Sequence, residues 1–361
     1  VLEVSTDFGE PAVTVTRKVE FNEGEASVTF PLDLAPGFYS AVLCILNEDG
    51  SKTEIDRTNL GFNPEQIVSE QDKQPDFDAF WEQTLAELAA VAPEYKLIPL
   101  KEHSNDVREA FRVEMKSLGG ETISGLLYMP VAEGKYPAMI SYMGYGSDVW
   151  YADPSSNPQM IEFMLCVRNQ AFNRKPGEKD DWCARGIESK ETYYYRGAFA
   201  DAVRAIDFVC SLEKTDTDRV CANGESQGGA LTFAAASLDN RLKAIAPSAP
   251  FLCDYPDYFV LAGWPGDPIE AAAKEAGMSE EEMFKVLSYF DIKNLTDRIQ
   301  CPVLMAIGLQ DTVCPPHTNF AGYNHITAEK SWICYPEAGH NVWQQKEWEP
   351  AKRQFFEKIN N

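Results

Sequence analysis

The sequence predicts an α/β fold in which a mostly parallel sheet carries helices on both faces, preceded by a small antiparallel β module. Three observations support this fold class. Strand-like apolar runs alternate with helical runs from about residue 110 onward. A Gly-x-Ser-x-Gly pentapeptide, Gly224 to Gly228, lies between an apolar run and an alanine-rich helical run. Apolar and polar side chains alternate with period two in the first 63 residues, as in half-buried strands.

The alternation in residues 1–63 predicts a small antiparallel, sandwich-like β module. Its apolar positions include Val13, Val15, Val19, Phe21, Ala26, Val28 and Phe30. Residues 22–24 and 47–50 have the composition of turns. Because a complete immunoglobulin-like sandwich takes about 100 residues, the module is either truncated or shares its core with the next domain. Carbohydrate binding and a spacer or packing role are both compatible with it.

The remaining residues, 64–361, are expected to form one larger domain. Helical spacing of apolar side chains predicts helices at 75–92, 193–212, 227–238, 315–323 and 347–359. Short apolar runs predict a leading hairpin and then single strands, at 110–115, 123–128, 138–142, 163–167, 219–222, 242–246, 302–308 and 331–335. An aromatic segment at about 250–296, with two short helices, interrupts the pattern and is expected to cover the mouth of the site as a cap.

The charge of the chain limits its partners. With 56 acidic and 32 basic residues the net charge is -24, which argues against nucleic acid or an anionic membrane surface as a partner. A neutral or cationic substrate is compatible with this charge, and so is a role in solubility alone. No apolar run reaches the roughly 20 residues that span a bilayer, so no membrane partner is expected.

The nine cysteines include no CxxC pair, and several lie inside apolar runs, where cysteine acts as a small hydrophobic residue. No metal or other cofactor is therefore expected, and no disulfide framework is predicted. The chain begins at Val1 without a signal-like segment. A leader removed before Val1 would favour a secreted or periplasmic protein, and a cytoplasmic location is expected otherwise.

Ser226, in the centre of the pentapeptide, is the predicted nucleophile. In a nucleophile elbow the serine occupies a strained turn from strand to helix, and the flanking residues are glycines because a Cβ would collide with neighbouring backbone. The helix that follows directs its first N–H groups, and the positive end of its dipole, at a developing oxyanion. For so short a pattern, a simple turn rich in glycine and serine is the alternative.

A serine hydroxyl reacts only when a neutral imidazole takes its proton, and the imidazole needs a carboxylate to fix its tautomer. His340 is the predicted base because it directly follows the last strand, where the chain order serine, acid, histidine requires it. His103 precedes the elbow, and His317 and His325 lie in or beside a helix. A histidine in a surface loop is the alternative for His340.

Asp311 is the predicted carboxylate, since it follows the strand at 302–308 at the edge where parallel sheets place their ligands. Glu337, three residues before His340, is its main rival, although it would need an unusual turn. Asp291 and Asp297 precede the strand and are expected to be helix caps or surface charges.

An oxyanion hole requires two N–H groups that stay in place during the reaction. One is expected from the backbone of Gln227, the residue after the nucleophile. The other is expected from Tyr145, because its neighbours Gly144 and Gly146 let the backbone approach an acyl oxygen. An ordinary glycine turn is the alternative at this position.

From about Phe77 to its end, the chain resembles the acetyl xylan esterase and cephalosporin C deacetylase group, carbohydrate esterase family seven, of the α/β-hydrolase superfamily. The matching segments are Tyr142-Met-Gly-Tyr145, Glu191-Thr-Tyr-Tyr-Tyr-Arg196, Asp201-Ala-Val-Arg-Ala-Ile206, Gly224-Glu-Ser-Gln-Gly-Gly229, Pro250-Phe-Leu-Cys253, Leu287-Ser-Tyr-Phe-Asp291 and Gly308-Leu-Gln-Asp-Thr-Val-Cys-Pro-Pro316. The resemblance implies the α/β-hydrolase fold. It carries the family's triad over to Ser226, Asp311 and His340, and its oxyanion donors to Tyr145 and Gln227.

The chain departs from the family pattern at three places. The family's Arg-Gly-Gln-Gly motif is Arg168-Asn-Gln-Ala171 here, so the backbone near the site is expected to differ. The family's His-Glu pair is His340-Asn341, which removes a carboxylate beside the base. The first 63 residues have no counterpart in the compact members, whose hexameric ring is the family's assembly. A homo-oligomer remains an expectation for this chain.

The motifs and the resemblance together predict a serine carboxylesterase that works through an acyl-enzyme. Its expected substrates are carbohydrate esters of acetate or another small acyl group, such as acetylated xylan or xylo-oligosaccharides. A peptidase of the same fold is the second enzyme hypothesis, although the sequence offers no obvious amine-recognition cluster. A non-catalytic glycan-binding protein, in which the β module and the aromatic insertion hold sugar, is the hypothesis from a different class.

Overall fold

A computed structural model describes residues 1–20, 22–23 and 25–360 of the chain. Its smaller sheet is antiparallel, with strand order β2-β1-β3-β4. The strands are β1 (Leu2–Thr6), β2 (Pro11–Val15), β3 (Gly37–Leu46) and β4 (Lys52–Phe62). The predicted antiparallel module is thus present, as one sheet and not as two packed sheets. The alternating residues Ala26, Val28 and Phe30 form no strand, and Phe21 and Gly24 lie outside the described residues.

The small sheet shares part of its core with the larger domain. Val4, Tyr39 and Ala41 form a cluster of the module's own. Phe38, on β3, belongs instead to the main core, where its ring centroid lies 5.8 Å from that of Phe320. One side of the small sheet therefore packs on the larger domain in place of a second sheet. The domain boundary at residue 63 stays a prediction.

The larger sheet has nine strands in the order β13-β12-β11-β10-β8-β9-β7-β6-β5. The strands are β5 (Lys96–Pro99), β6 (Arg108–Lys116), β7 (Thr122–Pro130), β8 (Tyr136–Tyr142), β9 (Ile161–Cys166), β10 (Thr215–Glu225), β11 (Ala244–Ser248), β12 (Val303–Gly308) and β13 (Lys330–Tyr335). Pairing is parallel from β9 through β8 to β13, and antiparallel among β5, β6, β7 and β9. Every residue of β11 and β12 is buried, as expected for strands covered on both faces.

Every predicted strand and helix of this domain is present, with ends that shift by a few residues. The helices are α1 (Phe77–Ala90), α2 (Tyr194–Ser211), α3 (Gln227–Leu238), α4 (Tyr255–Leu261), α5 (Gly263–Glu275), α6 (Glu280–Leu287), α7 (Pro316–Asn324) and α8 (Trp348–Asn360). The insertion at 250–296 contains three helices instead of the two predicted. The start of α5 is hidden in the sequence by Gly263, Pro265, Gly266 and Pro268, which are residues typical of loops. Strand β5 was also missed, because its four mostly exposed residues show no apolar alternation.

Within the described residues, no helix combines the length and the apolar composition that a bilayer crossing requires. All nine cysteines are free thiols, and most of them are buried. In the same part of the chain, no three side chains of histidine, cysteine, aspartate or glutamate are grouped so as to hold a metal ion.

Candidate active site

Ser226 lies in the sharp turn between β10 and α3. Its backbone has φ 59° and ψ -121°, a conformation that an L-residue adopts only under strain. The two flanking glycines make this turn sterically accessible. A Cβ at Gly224 would overlap the backbone of Gly228, and a Cβ at Gly228 would overlap the carbonyl oxygen of Tyr142. The pentapeptide therefore forms a nucleophile elbow that presents the serine at the carboxyl end of the sheet.

Asp311 and His340 come together at the same end of the sheet. His340 Nδ1 lies 2.8 Å from Asp311 Oδ2. The other carboxylate oxygen accepts hydrogen bonds from the backbone N–H groups of Val313 and Cys314, at 2.8 and 2.9 Å. Only 3% of Asp311 is exposed. Glu337, the rival carboxylate, is exposed and makes no hydrogen bond with His340 in the described structure.

The convergence of these two loops follows from the sheet topology. Strands β12 and β13 are parallel neighbours, with Gly308 paired with Tyr335 at their carboxyl ends. The N–H of Gln310 then donates to the carbonyl of Ala338 at 2.9 Å, which ties the loop after β12 to the loop after β13. Asp311 and His340 come just after this hydrogen bond, one on each loop.

The electrostatic surroundings raise the pKa of His340. Burial on its own lowers that pKa, but the hydrogen bond to Asp311 and the negative charge of Asp311 raise it. The Cys314 thiol is fully buried, its Sγ lies 4.0 Å from Ser226 Oγ, and burial raises its own pKa, so that it stays a neutral thiol at ordinary pH. Cys314 was missed in the sequence, although its position three residues after Asp311 could have placed it beside the histidine.

Ser226 and His340 face a common cavity of about 670 Å³. Tyr145 lines it as well, as do Trp150 and Trp343, whose indoles are 52% and 62% exposed. None of the residues lining this cavity belongs to the insertion at 250–296. The insertion instead touches the site indirectly, because the Trp264 ring centroid lies 5.0 Å from that of Tyr145. Its role as a cap stays a prediction.

The two expected oxyanion donors lie on segments that are connected by hydrogen bonds through one side chain. The N–H of Tyr145 has no hydrogen-bond partner in the described structure, and the N–H of Gln227 is the first of α3. Between them, the buried amide of Gln170 accepts from the N–H of Gly146 at 2.9 Å and donates to Gln227 Oε1 at 3.1 Å. Gln170 therefore connects the segments that carry Tyr145 and Gln227. Sequence reasoning did not single it out, although it lies in the Arg168 motif.

The replaced glycines of that motif keep the backbone conformation that glycine favours. Asn169 has φ 65° and Ala171 has φ 48°, both in the left-handed region. Arg168 donates from Nε and Nη2 to the Asp201 carboxylate, at 2.9 and 2.7 Å. Asparagine and alanine thus adopt a positive φ at the two positions where the family has glycine, and a difference in backbone from the family stays a prediction.

A mostly parallel sheet with a strained serine between its central strand and the next helix defines the α/β-hydrolase fold. This chain has that fold, as the sequence predicts. The profile of the acetyl xylan esterase (AXE1) family matches residues 65–358. The chain belongs to this family and is a carboxylic ester hydrolase, so the resemblance read from its motifs is confirmed.

Solved structures of related enzymes share the architecture. Acetyl xylan esterase 1 from a Thermoanaerobacterium species is 28% identical, with a TM-score of 0.75 over 82% of this chain and 98% of that one. The acetyl xylan esterase of a Paenibacillus species is 31% identical, also with a TM-score of 0.75, over 81% of this chain and 98% of that one. Acetyl esterase Axe7A from Xylanibacter ruminicola is 28% identical over 94% of this chain and 79% of its own length.

Proposed function

We propose that this esterase removes acetyl groups from carbohydrate esters, such as acetylated xylan or xylo-oligosaccharides, with Ser226, Asp311 and His340 as its catalytic triad. The observation that carries the proposal is the 2.8 Å contact between Asp311 Oδ2 and His340 Nδ1, beside a cavity that both His340 and Ser226 line. Membership of the acetyl xylan esterase family supports the acyl group and the class of alcohol.

In the first half of the reaction His340 takes the proton of Ser226 while Oγ attacks the acetyl carbonyl carbon. The carbonyl oxygen becomes negative and is stabilised by the N–H groups of Tyr145 and Gln227. The bond to the sugar oxygen then breaks, and His340 returns the proton to that oxygen. In the second half a water molecule occupies the place of the sugar, gives a proton to His340 and attacks the acetyl carbon. The bond to Ser226 Oγ then breaks, His340 returns the proton to Oγ, and acetate leaves.

The buried carboxylate makes this cycle efficient. Asp311 holds Nδ1–H of His340 by a hydrogen bond, which leaves Nε2 as the acceptor for the serine proton. Because Asp311 also accepts hydrogen bonds from two backbone N–H groups, its carboxylate is held in a fixed orientation. The imidazolium that forms during attack is stabilised by that charge.

The other two hypotheses have less support in the site. Peptide hydrolysis would need a group that recognises an amine, and no such cluster was found in the sequence. A glycan-binding surface on the insertion would need several exposed aromatic rings, whereas Tyr255 and Tyr258 are buried there. Trp264 is exposed, but its ring packs against those of Tyr145 and Phe251. The Asp311–His340 pair has no purpose in a protein that only binds sugar.

The test is a substrate panel of acetylated xylo-oligosaccharides, aryl esters of increasing acyl length and an aminoacyl anilide. We expect release of acetate from the oligosaccharides, a steep decline in rate beyond short acyl chains, and no anilide cleavage. Ser226→Ala should abolish turnover while leaving thermal unfolding close to that of the wild type. Preferential cleavage of the anilide, or esterase activity that survives in Ser226→Ala, would refute the proposal.

A further inference from the structure

Glu225 is a carboxyl group within the cavity, directly before the nucleophile. It is the last residue of β10, lines the cavity with Ser226 and is half-buried. Its Oε2 accepts a hydrogen bond from the backbone N–H of Trp343 at 3.1 Å. Its Oε1 accepts none from any described residue. A carboxylate oxygen that lies beside the reacting serine without a protein partner is free to accept a hydrogen bond from a substrate.

Two indole rings lie at the rim of the same cavity. Trp150 comes from the loop after β8, and Trp343 from the short 3-10 helix Val342–Gln344 after β13. About half or more of each residue is exposed, whereas tryptophan is highly buried on average. Indole faces pack against the apolar C–H face of a sugar ring, while the ring's hydroxyls remain available to polar groups.

The charges around this rim disfavour an anionic ligand. Glu225 and Glu349 line the cavity, and its one lysine, Lys352, is already paired with Glu349 at 2.6 Å. No lysine or arginine among the residues lining the cavity is therefore left to bind a carboxylate of the substrate. The chain as a whole carries a net charge of -24, which adds to this preference.

We infer that Glu225, Trp150 and Trp343 form the subsite for the alcohol part of the ester, and that this subsite selects a neutral sugar over a sugar bearing a carboxylate. Glu225 Oε1 accepts a hydrogen bond from a hydroxyl beside the acetylated position, and the two indoles flank the sugar ring. The inference rests on the proposed function, since it assigns the alcohol side of that same site.

The selectivity of the subsite should depend on pH. Burial raises the pKa of Glu225 to about 7, with the charge of Asp311 adding to it, while His340, the Trp343 N–H and Lys352 act against the rise. The carboxyl group therefore gains its negative charge as the pH increases through neutrality. Repulsion of an anionic sugar should grow over that range, so that the preference for a neutral sugar increases with pH.

The test compares kcat/KM for three substrates: an acetylated xylo-oligosaccharide, the same compound with a uronic acid branch beside the acetylated residue, and 4-nitrophenyl acetate. We expect Glu225→Ala to lower kcat/KM for the neutral oligosaccharide about tenfold, the effect of one charge-assisted hydrogen bond. Hydrolysis of 4-nitrophenyl acetate, which has no sugar, should fall by a clearly smaller factor. Trp343→Ala should act mainly through KM for the oligosaccharides.

Glu225→Gln tests the charge without removing the side chain. In the wild type, the ratio of kcat/KM for the neutral over the uronic substrate should rise between pH 6 and 8, and in the variant it should be flat. Glu347→Gln removes an exposed carboxylate outside the cavity and should leave the ratio as in the wild type. The ratio compares two substrates of one enzyme. A change in the reactivity of His340 therefore affects both values of kcat/KM equally and leaves their ratio unchanged.

Each outcome decides the inference. An equal loss on 4-nitrophenyl acetate and on the oligosaccharides would mean that Glu225 acts through the triad, and it would overturn the subsite. The subsite would be overturned as well if the ratio depended on pH in every variant as it does in the wild type. In both cases the wild type would still hydrolyse acetyl esters, so the proposed function would stand. A wild type without activity on any of the three substrates would refute the proposed function itself.

Discussion

Two groups of side chains near Ser226 differ in their burial. Asp311 is almost fully buried and is hydrogen-bonded to His340 and to the N–H groups of Val313 and Cys314. At the rim of the cavity, Trp150 and Trp343 are largely exposed. Buried, hydrogen-bonded groups cannot adapt to different substrates, whereas exposed rings can. Changes in the first group should therefore reduce turnover of every ester, and changes at the rim should alter the choice of ester.

The small sheet contacts the loop of Asp311 from outside the cavity. Gln310, the neighbour of Asp311, accepts a hydrogen bond from the N–H of Asn59 at 2.9 Å and donates to the carbonyl of Pro336 at 2.8 Å. The Asn59 amide in turn donates to the carbonyl of Leu309 at 3.2 Å. Strand β4 thus holds the loop that carries Asp311 by hydrogen bonds. This contact is a packing role for residues 1–63.

The largest effect is expected from Asp311→Asn. Asparagine is nearly isosteric, so the fold should persist, but it favours the wrong imidazole tautomer and should lower kcat about 10⁴-fold, as in the serine-protease case. That loss corresponds to about 5 kcal/mol of transition-state stabilisation. The measurement is kcat for 4-nitrophenyl acetate at one pH, with circular dichroism to verify the fold.

Glu337→Gln is the matched control for this substitution. Because Glu337 is exposed and does not touch His340, kcat should change by less than about twofold. A severe loss in Glu337→Gln together with a mild one in Asp311→Asn would reverse the assignment of the carboxylate.

The next effect concerns pH. The base must be neutral to accept a proton, and the pKa of His340 lies above the ordinary value of 6.5. In the wild type, kcat/KM for an aryl acetate should therefore still rise with pH above 6.5. Loss of the Asp311 charge lowers the pKa of His340, so the residual activity of Asp311→Asn should begin its rise at a pH lower by about one unit or more. Profiles from pH 5 to 10 for both proteins test this, and coincident acid limbs would refute it.

A smaller effect is expected from Gln310→Ala, which removes the brace between β4 and the carboxylate loop. Loss of the four hydrogen bonds of the Gln310 side chain should reduce kcat about fivefold. It should leave KM nearly unchanged, since Gln310 does not line the cavity. Single-substrate kinetics on the aryl acetate measure both constants.

Asn47→Ala is the control for Gln310→Ala. Among the described residues, the Asn47 side-chain amide donates only to Ser51 and Thr53, in the turn at the far end of the small sheet. It should leave kcat within about twofold. Equal losses in both variants would mean that the small sheet affects turnover through overall stability and not through the loop.

The features that the sequence predicted well are those with a steric or periodic cause. The elbow was predictable because only glycine fits at positions 224 and 228, and the proximity of Asp311 and His340 follows from the succession of parallel strands. Gln170 and Glu225 could not be assigned in this way, since their roles depend on loops that meet only in the folded chain. Trp343 was missed for the same reason. It follows β13, and it meets Glu225 at the end of β10 only in the folded chain.

The most direct test of the account is covalent labelling of the nucleophile. The wild-type protein should be treated with diisopropyl fluorophosphate, its intact mass measured, and the adduct located by peptide mapping, with Ser226→Ala treated in parallel. The account predicts one adduct per chain, located on Ser226, with loss of esterase activity in proportion to labelling and no adduct in the variant. An active enzyme that gains no adduct, or an adduct that inactivates the enzyme from another residue, would contradict it.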